Sequence, residues 1–401
     1  MKRLALLLTL MASLGCATLP PCPARGGPTW TRWTSTHFSL FTDLDTEDAR
    51  SALHDLEELR AAVLLAAWRR APEPAGRTVV FDLRGWRERL VFVPAGYDAS
   101  FVPNPPLHEG FIVKSGNDRD ALVTETLVLA LADHYGLRGK AAWFDEGLYR
   151  YLGPLHVAPD GKVTYGQVDP QLFSNATHGR LTSFENIWQE PAIQDRAQFQ
   201  ATTWLVVHYL FNHEATRFAA FQRQLIVTRD ARAAWREVFP DLTPEVMDER
   251  LSAYVFREGE FATYEAQLPG LRYEVASAPL DDADVHAVRG LLYATTEATP
   301  AADRPARARA EVAEALRLDP TQVLAVYVQR FFLHDDETDL ERPKQLVARH
   351  PDNSLAWLVL ARARAVRHET AEAAEALEQV RALAGGARPA VDLDVRVARP
   401  D

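Results

Sequence analysis

A change of period near residue 280 constrains this chain more than any other feature. Before it, short apolar runs of strand length are interleaved with apolar residues recurring every three or four positions, whereas beyond it only the helical spacing remains, in pairs punctuated by proline. Asp319-Pro320 and His350-Pro351-Asp352 set two prolines 31 residues apart, each followed by an apolar helical run. Three such units fit, roughly 284–318, 320–350 and 352–385. They carry Gly290, Leu291 and Tyr293 in the first, Tyr327 in the second, and Ala356, Trp357, Leu360, Ala371 and Ala374 in the third. Small residues at helix crossings let backbones approach, and larger ones fill the space between neighbouring helices. An α+β portion followed by an all-α portion is therefore expected.

The earlier portion reads as a strand at 37–42, a helix at 46–70 with Leu53, Leu56, Leu59, Val63 and Leu64 on one face, and a strand at 77–83 between Gly76 and Gly85. Short strands at 97–102 and 110–115 precede helices at 118–135 and 142–152, and residues 170–260 are mostly helical, notably 197–212 and 214–228. Trp188, Trp204 and Trp235 fit helix packing. With 401 residues, 47% of them hydrophobic, two or three domains can each bury a core. Packing must supply the stability, because two cysteines, Cys16 and Cys22, cannot form a disulfide framework. Basic groups number 44 against 55 acidic ones and form no run, which argues against nucleic acid as a partner.

At the N-terminus Lys2-Arg3, an apolar run from Leu4 to Leu14 and Gly15-Cys16 have the layout of a secretory leader, and the run is too short to span a bilayer. Small residues before a cysteine resemble the bacterial lipoprotein signal, with Ser13 a departure at the usual leucine position. That resemblance implies a signal peptide at 1–15, lipid attachment at Cys16, and anchoring of the chain to the membrane through the lipid. Residues 16–29, rich in Pro and Gly, read as a flexible lipidated tether, and Cys22 as a thiol without a role. Ala17 lacks the aspartate that retains similar lipoproteins at the inner membrane, so a place in the cell envelope, on the outer membrane facing periplasm or exterior, is expected.

Candidate chemistry lies in residues 122–152. Trp143-Phe144-Asp145-Glu146-Gly147-Leu148-Tyr149-Arg150-Tyr151 and Glu125 resemble the active helix pair of bacterial peptidase-MA-like gluzincins, whose pattern is His-Glu-x-x-His followed by Trp-Leu-x-Glu-Gly-x-Ala-x-Tyr. Thr36-His37-Phe38-Ser39-Leu40-Phe41-Thr42 and Gln200-Ala201-Thr202-Thr203-Trp204 through Leu210 are similar to the same family's lead-in and supporting helix. The resemblance implies a zincin-like domain, a mixed sheet plus active-site helices, over 30–265. Residues 280–390 resemble tetratricopeptide repeats, whose period is about 34 residues.

In such a site, two histidines four apart and the glutamate of the second helix hold Zn²⁺, while the first glutamate polarises the metal-bound water. Here the ligand positions hold Thr124 and Val128; Glu125 stands at the general-base position and Glu146 at the third-ligand position. A hydroxyl and an isopropyl group cannot take the place of two imidazoles, so the expectation is vestigial ligand positions, no metal and no cofactor. His134 falls nine residues after Glu125, on the opposite helix face at about 100° per residue. His108-Glu109, His213-Glu214 and His368-Glu369 have no second histidine four residues on. Distant His156, His178 or His208 remain as possible donors to Glu125 and Glu146. Facing carboxylates also occur in glycoside hydrolases, but nothing else in the chain suggests sugar chemistry.

These features predict an envelope lipoprotein with an inactive metallopeptidase-like domain that binds an unidentified envelope protein or peptide through its helical repeats. The alternative is an active zinc metallopeptidase with a rearranged site, Glu125 its general base and Glu146 a ligand. A third possibility is a cleft that binds peptides without cutting them.

Overall fold

Strands and helices alternate up to residue 114, and long helices dominate thereafter. The strands are β1 (Thr31–Thr34), β2 (Phe38–Thr42), β3 (Thr78–Leu83), β4 (Ala99–Val102), β5 (Gly110–Lys114), β6 (His156–Val157), β7 (Lys162–Tyr165), β8 (Tyr264–Gln267) and β9 (Ala276–Pro279). The helices are α1 (Thr46–Ala67), α2 (Trp86–Phe92), α3 (Ala121–His134), α4 (Ala142–Leu152), α5 (Pro170–His178), α6 (Arg196–His213), α7 (Ala215–Thr228), α8 (Ala231–Val238) and α9 (Pro244–Val255). Six more follow: α10 (Asp282–Thr295), α11 (Arg304–Leu318), α12 (Val323–Phe331), α13 (Glu341–Arg349), α14 (Ser354–Val366) and α15 (Thr370–Leu383). The structure, a computed structural model, describes residues 19–383 except 70–76, 94–98, 103–109, 115–120, 138, 140, 190, 257–260, 297 and 336–337. The leader, Cys16 and the chain beyond 383 lie outside the described residues. The class is mixed α+β.

The chain divides into two compact units. One comprises Met1–Ala52, Gly76–Gly116 and Glu274–Asp401; the other comprises Leu53–Ala75 and Asn117–Tyr273. The units are therefore not sequential blocks parted near residue 270. The first unit holds a six-stranded sheet of order β4-β5-β3-β2-β1-β9. Its centre is parallel, β2 with β3 and β3 with β5, and its flanks are antiparallel. Strand β2 buries Phe38, Leu40 and Thr42 on one face, the period of two expected from its sequence. Ser35 turns β1 into β2, its Oγ accepting from the Phe38 N–H at 3.2 Å. Strand β9, Ala-Ser-Ala-Pro, has no strand signal of its own and forms because β1 offers an edge, Thr34 facing Ala276 and Thr31 facing Pro279.

That pairing brings the C-terminal helices to the sheet. Phe81, Leu83, Val91, Phe92 and Val93 share one buried cluster with Leu280, Val288, Leu292, Tyr327, Leu346, Leu360 and Leu377. The six helices run in sequence as α10/α11, α12/α13 and α14/α15; the first and last of these pack as hairpins, whereas in the middle α12 packs on α10, α11 and α14, and α13 on α14. The leading helix of each pair is N-capped by a side chain: Asp281 accepts from Asp284 N, Gln322 from Ala325 N, and Asn353 from Leu355 and Ala356 N. Helices α11 and α13 stop at Asp319 and His350, each immediately before a proline that disfavours helical conformation in the preceding residue.

The second unit is built around α6, buried from Ala201 through Leu210. Helix α4 lies against it so closely that a Cβ on Gly147 would overlap the Thr203 carbonyl oxygen and stand 2.6 Å from Val207 Cγ2. Trp143 on the same helix stacks on Phe221 at 5.8 Å and meets Trp235 edge-on. Trp204 and Trp235 are core residues, as their spacing suggested, and Trp188 borders the same cluster. A three-stranded sheet, β6-β7-β8, completes the unit. Because backbone blocks the space beside Gly147, Gly147→Ala is expected to cost about 1–3 kcal/mol of stability by overpacking, read as a lower urea midpoint at an unchanged slope. An unchanged midpoint would show that α4 and α6 can part at no cost.

Candidate functional site

Glu125 lies on α3, and Glu146 lies one turn into α4. Side-chain exposure is 15% for Glu125 and 10% for Glu146, and buried carboxylates require a cation or hydrogen-bond donors. Arg150 supplies the cation for both. Its Nη1 is 3.7 Å from Glu125 Oε1 and its Nε donates to Glu146 Oε1 at 3.2 Å. Arg196, at the start of α6, adds Nη2 at 3.5 Å from Glu146 Oε2. Burial alone would lower the Arg150 pKa, but Tyr149, Glu125 and Glu146 together raise it above its ordinary value, so the guanidinium stays charged. Burial, and then the Glu146 carboxylate, push the Tyr149 phenol far above its ordinary value, so it remains a neutral donor.

Both expected glutamates thus come to one place, together with two arginines that the sequence reading passed over. Arg150 was findable, since it follows Glu146 by four residues and so shares its helix face. Arg196 gives no such signal, because only the packing of α6 on α4 brings it there. Thr124 and Val128 are 2% and 0% exposed, buried as helix-packing residues.

Of the three distant histidines, two are held by other groups. His156 is exposed on β6, and His178, at the end of α5, holds Ser174 O at 3.0 Å and Thr177 Oγ1 at 3.1 Å through Nδ1. His208 is wholly buried. Its Nε2 lies 3.3 Å from the Gly166 carbonyl, and its Nδ1 meets Tyr254 Oη and Asn212 Nδ2, each at 2.9 Å. A carbonyl on one nitrogen and donors on the other fix the neutral Nε2–H tautomer. Tyr264 locks the network by donating to Asn212 Oδ1 at 2.7 Å. Among the described residues, no group of three or more His, Cys, Asp or Glu is placed to hold a metal ion. The residues present do not fit the zinc that the resemblance implies, because the one carboxylate at a ligand position is engaged by two guanidinium groups.

What the site can do follows from its charges. Two carboxylates face two guanidiniums, so the formal charges of these four groups balance. No protein-family model matches the chain, and no curated protein matches it.

Two outcomes are expected. Replacing Arg150 by Met leaves two partly buried carboxylates facing one another with less cation between them, and should destabilise the second unit by about 1–3 kcal/mol in urea unfolding at pH 7. No loss would mean that solvent already screens the pair. The second concerns His208, whose imidazole burial pushes down to about 4 from 6.5. Its neutral form contributes stability that is complete above pH 6.5 and is lost as pH falls towards 4, a loss of up to roughly 3 kcal/mol at 1.36 kcal/mol per unit. Thermal melts at pH 7 and 4.5 should differ more for the native protein than for His208→Asn; equal differences would remove His208 as the cause.

Proposed function

We propose that this chain is an envelope lipoprotein in which a zincin-like, peptidase-MA-like domain has exchanged metal-dependent hydrolysis for a structural or recognition role. In this reading, tetratricopeptide-like repeats provide the surface for a protein or peptide partner. One observation carries the proposal: the Arg150 guanidinium spans Glu125 and Glu146, the positions of general base and third ligand, where a working site would need metal and water. A general base must be free to accept a proton from water within hydrogen-bond reach, and here the carboxylate's negative charge is engaged by an arginine instead.

The repeat assignment draws support from the hairpins α10/α11 and α14/α15, and from the leading helices α10, α12 and α14 being successive neighbours. Gly290 on α10 lies where a Cβ would be 2.9 Å from Val312 Cγ2 of α11, the small-residue crossing that such hairpins use. Anchoring through lipid on Cys16 belongs to the same proposal and rests on the sequence of the leader. Among the described residues no helix is long and apolar enough to cross a membrane.

Metal content and cleavage decide between this reading and a rearranged peptidase. Full-length protein purified without chelator and dialysed against zinc is expected to retain well below one zinc per chain by elemental analysis, and to leave unfolded casein uncut. Stoichiometric zinc that disappears in Glu146→Ala, or casein cleavage that disappears in Glu125→Gln, would overturn the proposal and restore Glu125 as base and Glu146 as ligand.

A further inference from the structure

The segment before β1, read from sequence as a flexible tether, is packed from Leu19 onward. Cys22 is 3% exposed and belongs to the core cluster of the first unit, with Leu19 and Trp30. Its Sγ lies 3.3 Å from His286 Nε2 and accepts Arg289 Nη1 at 3.3 Å, both donors carried by α10. Around this sulfur the segment makes three more attachments to the leading helix pair. The Pro20 carbonyl accepts Arg289 Nη2 at 2.9 Å, the Ala24 N–H donates to Asp282 Oδ1 at 3.1 Å, and Arg25 pairs with Glu314 of α11 at 3.3 Å. Past the short 3₁₀ turn at Pro23–Arg25 the chain doubles back so tightly that a Cβ on Gly27 would overlap the Pro21 carbonyl oxygen.

We propose that residues 19–27 form a releasable strap on the leading helix pair, and that disulfide exchange at Cys22, when the strap opens, holds it in the released state. Two observations separate this from a cysteine that merely fills a core. The first is the arrangement of titratable groups: Glu311 holds His286 Nδ1 at 2.5 Å and so directs Nε2 at the sulfur. Its hydrogen bond to Cys22, and then that to Glu311, push the His286 imidazole up to about 9 against burial, so a cation faces the sulfur at neutral pH. The second is that Arg289 is uncomfortable where it lies. It is 4% exposed, its Nε has no hydrogen-bond partner, and, beside its charge interaction with Glu88, its two terminal nitrogens bond to the strap. Opening the strap would give that guanidinium water, which partly offsets the breaking of its two bonds to the segment.

The chemistry is thiol–disulfide exchange with a small disulfide. The Cys22 sulfur bonds to one sulfur of the disulfide while the other departs with the bonding pair and takes the proton that the thiol gives up. Cys22 is oxidised to the mixed disulfide, and the departing half is reduced to a thiol. An added substituent cannot share the space between His286 and Arg289, so the modified strap cannot close.

The test uses the full-length native chain and 2-hydroxyethyl disulfide, an uncharged probe. Peptide mass mapping reads Cys22 separately from Cys16, limited trypsin digestion reads cleavage after Arg25, and circular dichroism reads helix content. As Cys22 becomes modified, cleavage after Arg25 is expected to accelerate about tenfold or more, with helix content unchanged and reversal by dithiothreitol. Cys22→Ser should leave cleavage indifferent to the probe. The proposal fails if fully modified protein is cut at the unmodified rate, if helix content falls in step with modification, or if Cys22 stays inert for hours while the urea-unfolded chain reacts.

Discussion

Two carboxylates brought together on neighbouring helices need a cation between them, and in this protein the cation is a guanidinium. Arg150 is four residues from Glu146 on α4 and reaches Glu125 on α3, so one side chain ties both helices through charge. The tie depends on α4 being where it is, and Gly147 decides that. Any side chain there would meet the Thr203 carbonyl, so the α4–α6 approach and the Glu146 position are one constraint. The aromatic cluster around Trp143 then holds the helix from its other side.

In the first unit the equivalent constraint is β9. Four residues with little strand propensity pair with β1, and through them the six C-terminal helices share a core with the sheet instead of building one of their own. Helices that pack only on their neighbours in sequence leave the outer face of the first one uncovered. Here α10 is covered by residues of β3 and the end of α2, including the Phe92–Tyr293 edge contact at 5.0 Å. Thr296 and Thr299 also donate to the Phe92 and Val91 carbonyls. The N-terminal strap uses what remains of that helix, which is why Cys22 is buried.

Much of the architecture was legible beforehand. The strands 38–42 and 78–83, the helices 121–134, 142–152, 196–213 and 215–228, and the purely helical character beyond residue 280 follow from apolar period and proline placement, which are local properties. Strand β1 carries little signal, because Trp30 and Trp33 stand three apart, out of step with the period of two that marks a strand. At the site, Glu125 and Glu146 were found, and Arg150 was visible at its i+4 position. Arg196 was not, because it enters from another helix, and neither was the strap, because a Pro/Gly-rich composition describes a chain with no partner and says nothing of one that has found one.

The sequence by itself determined the mixed class of the fold, the helical run beyond residue 280, and the lack of imidazoles at positions 124 and 128, since each is fixed by residue identity or by spacing along one chain. Only the tertiary structure decided that arginines stand between the two glutamates, that His208 is neutral inside a ring of tyrosine and asparagine, and that Cys22 lies between His286 and Arg289. Those outcomes are set by charge and burial between residues far apart in sequence, such as the 264 positions separating Cys22 from His286, and no local pattern encodes which distant partner will satisfy a buried polar group.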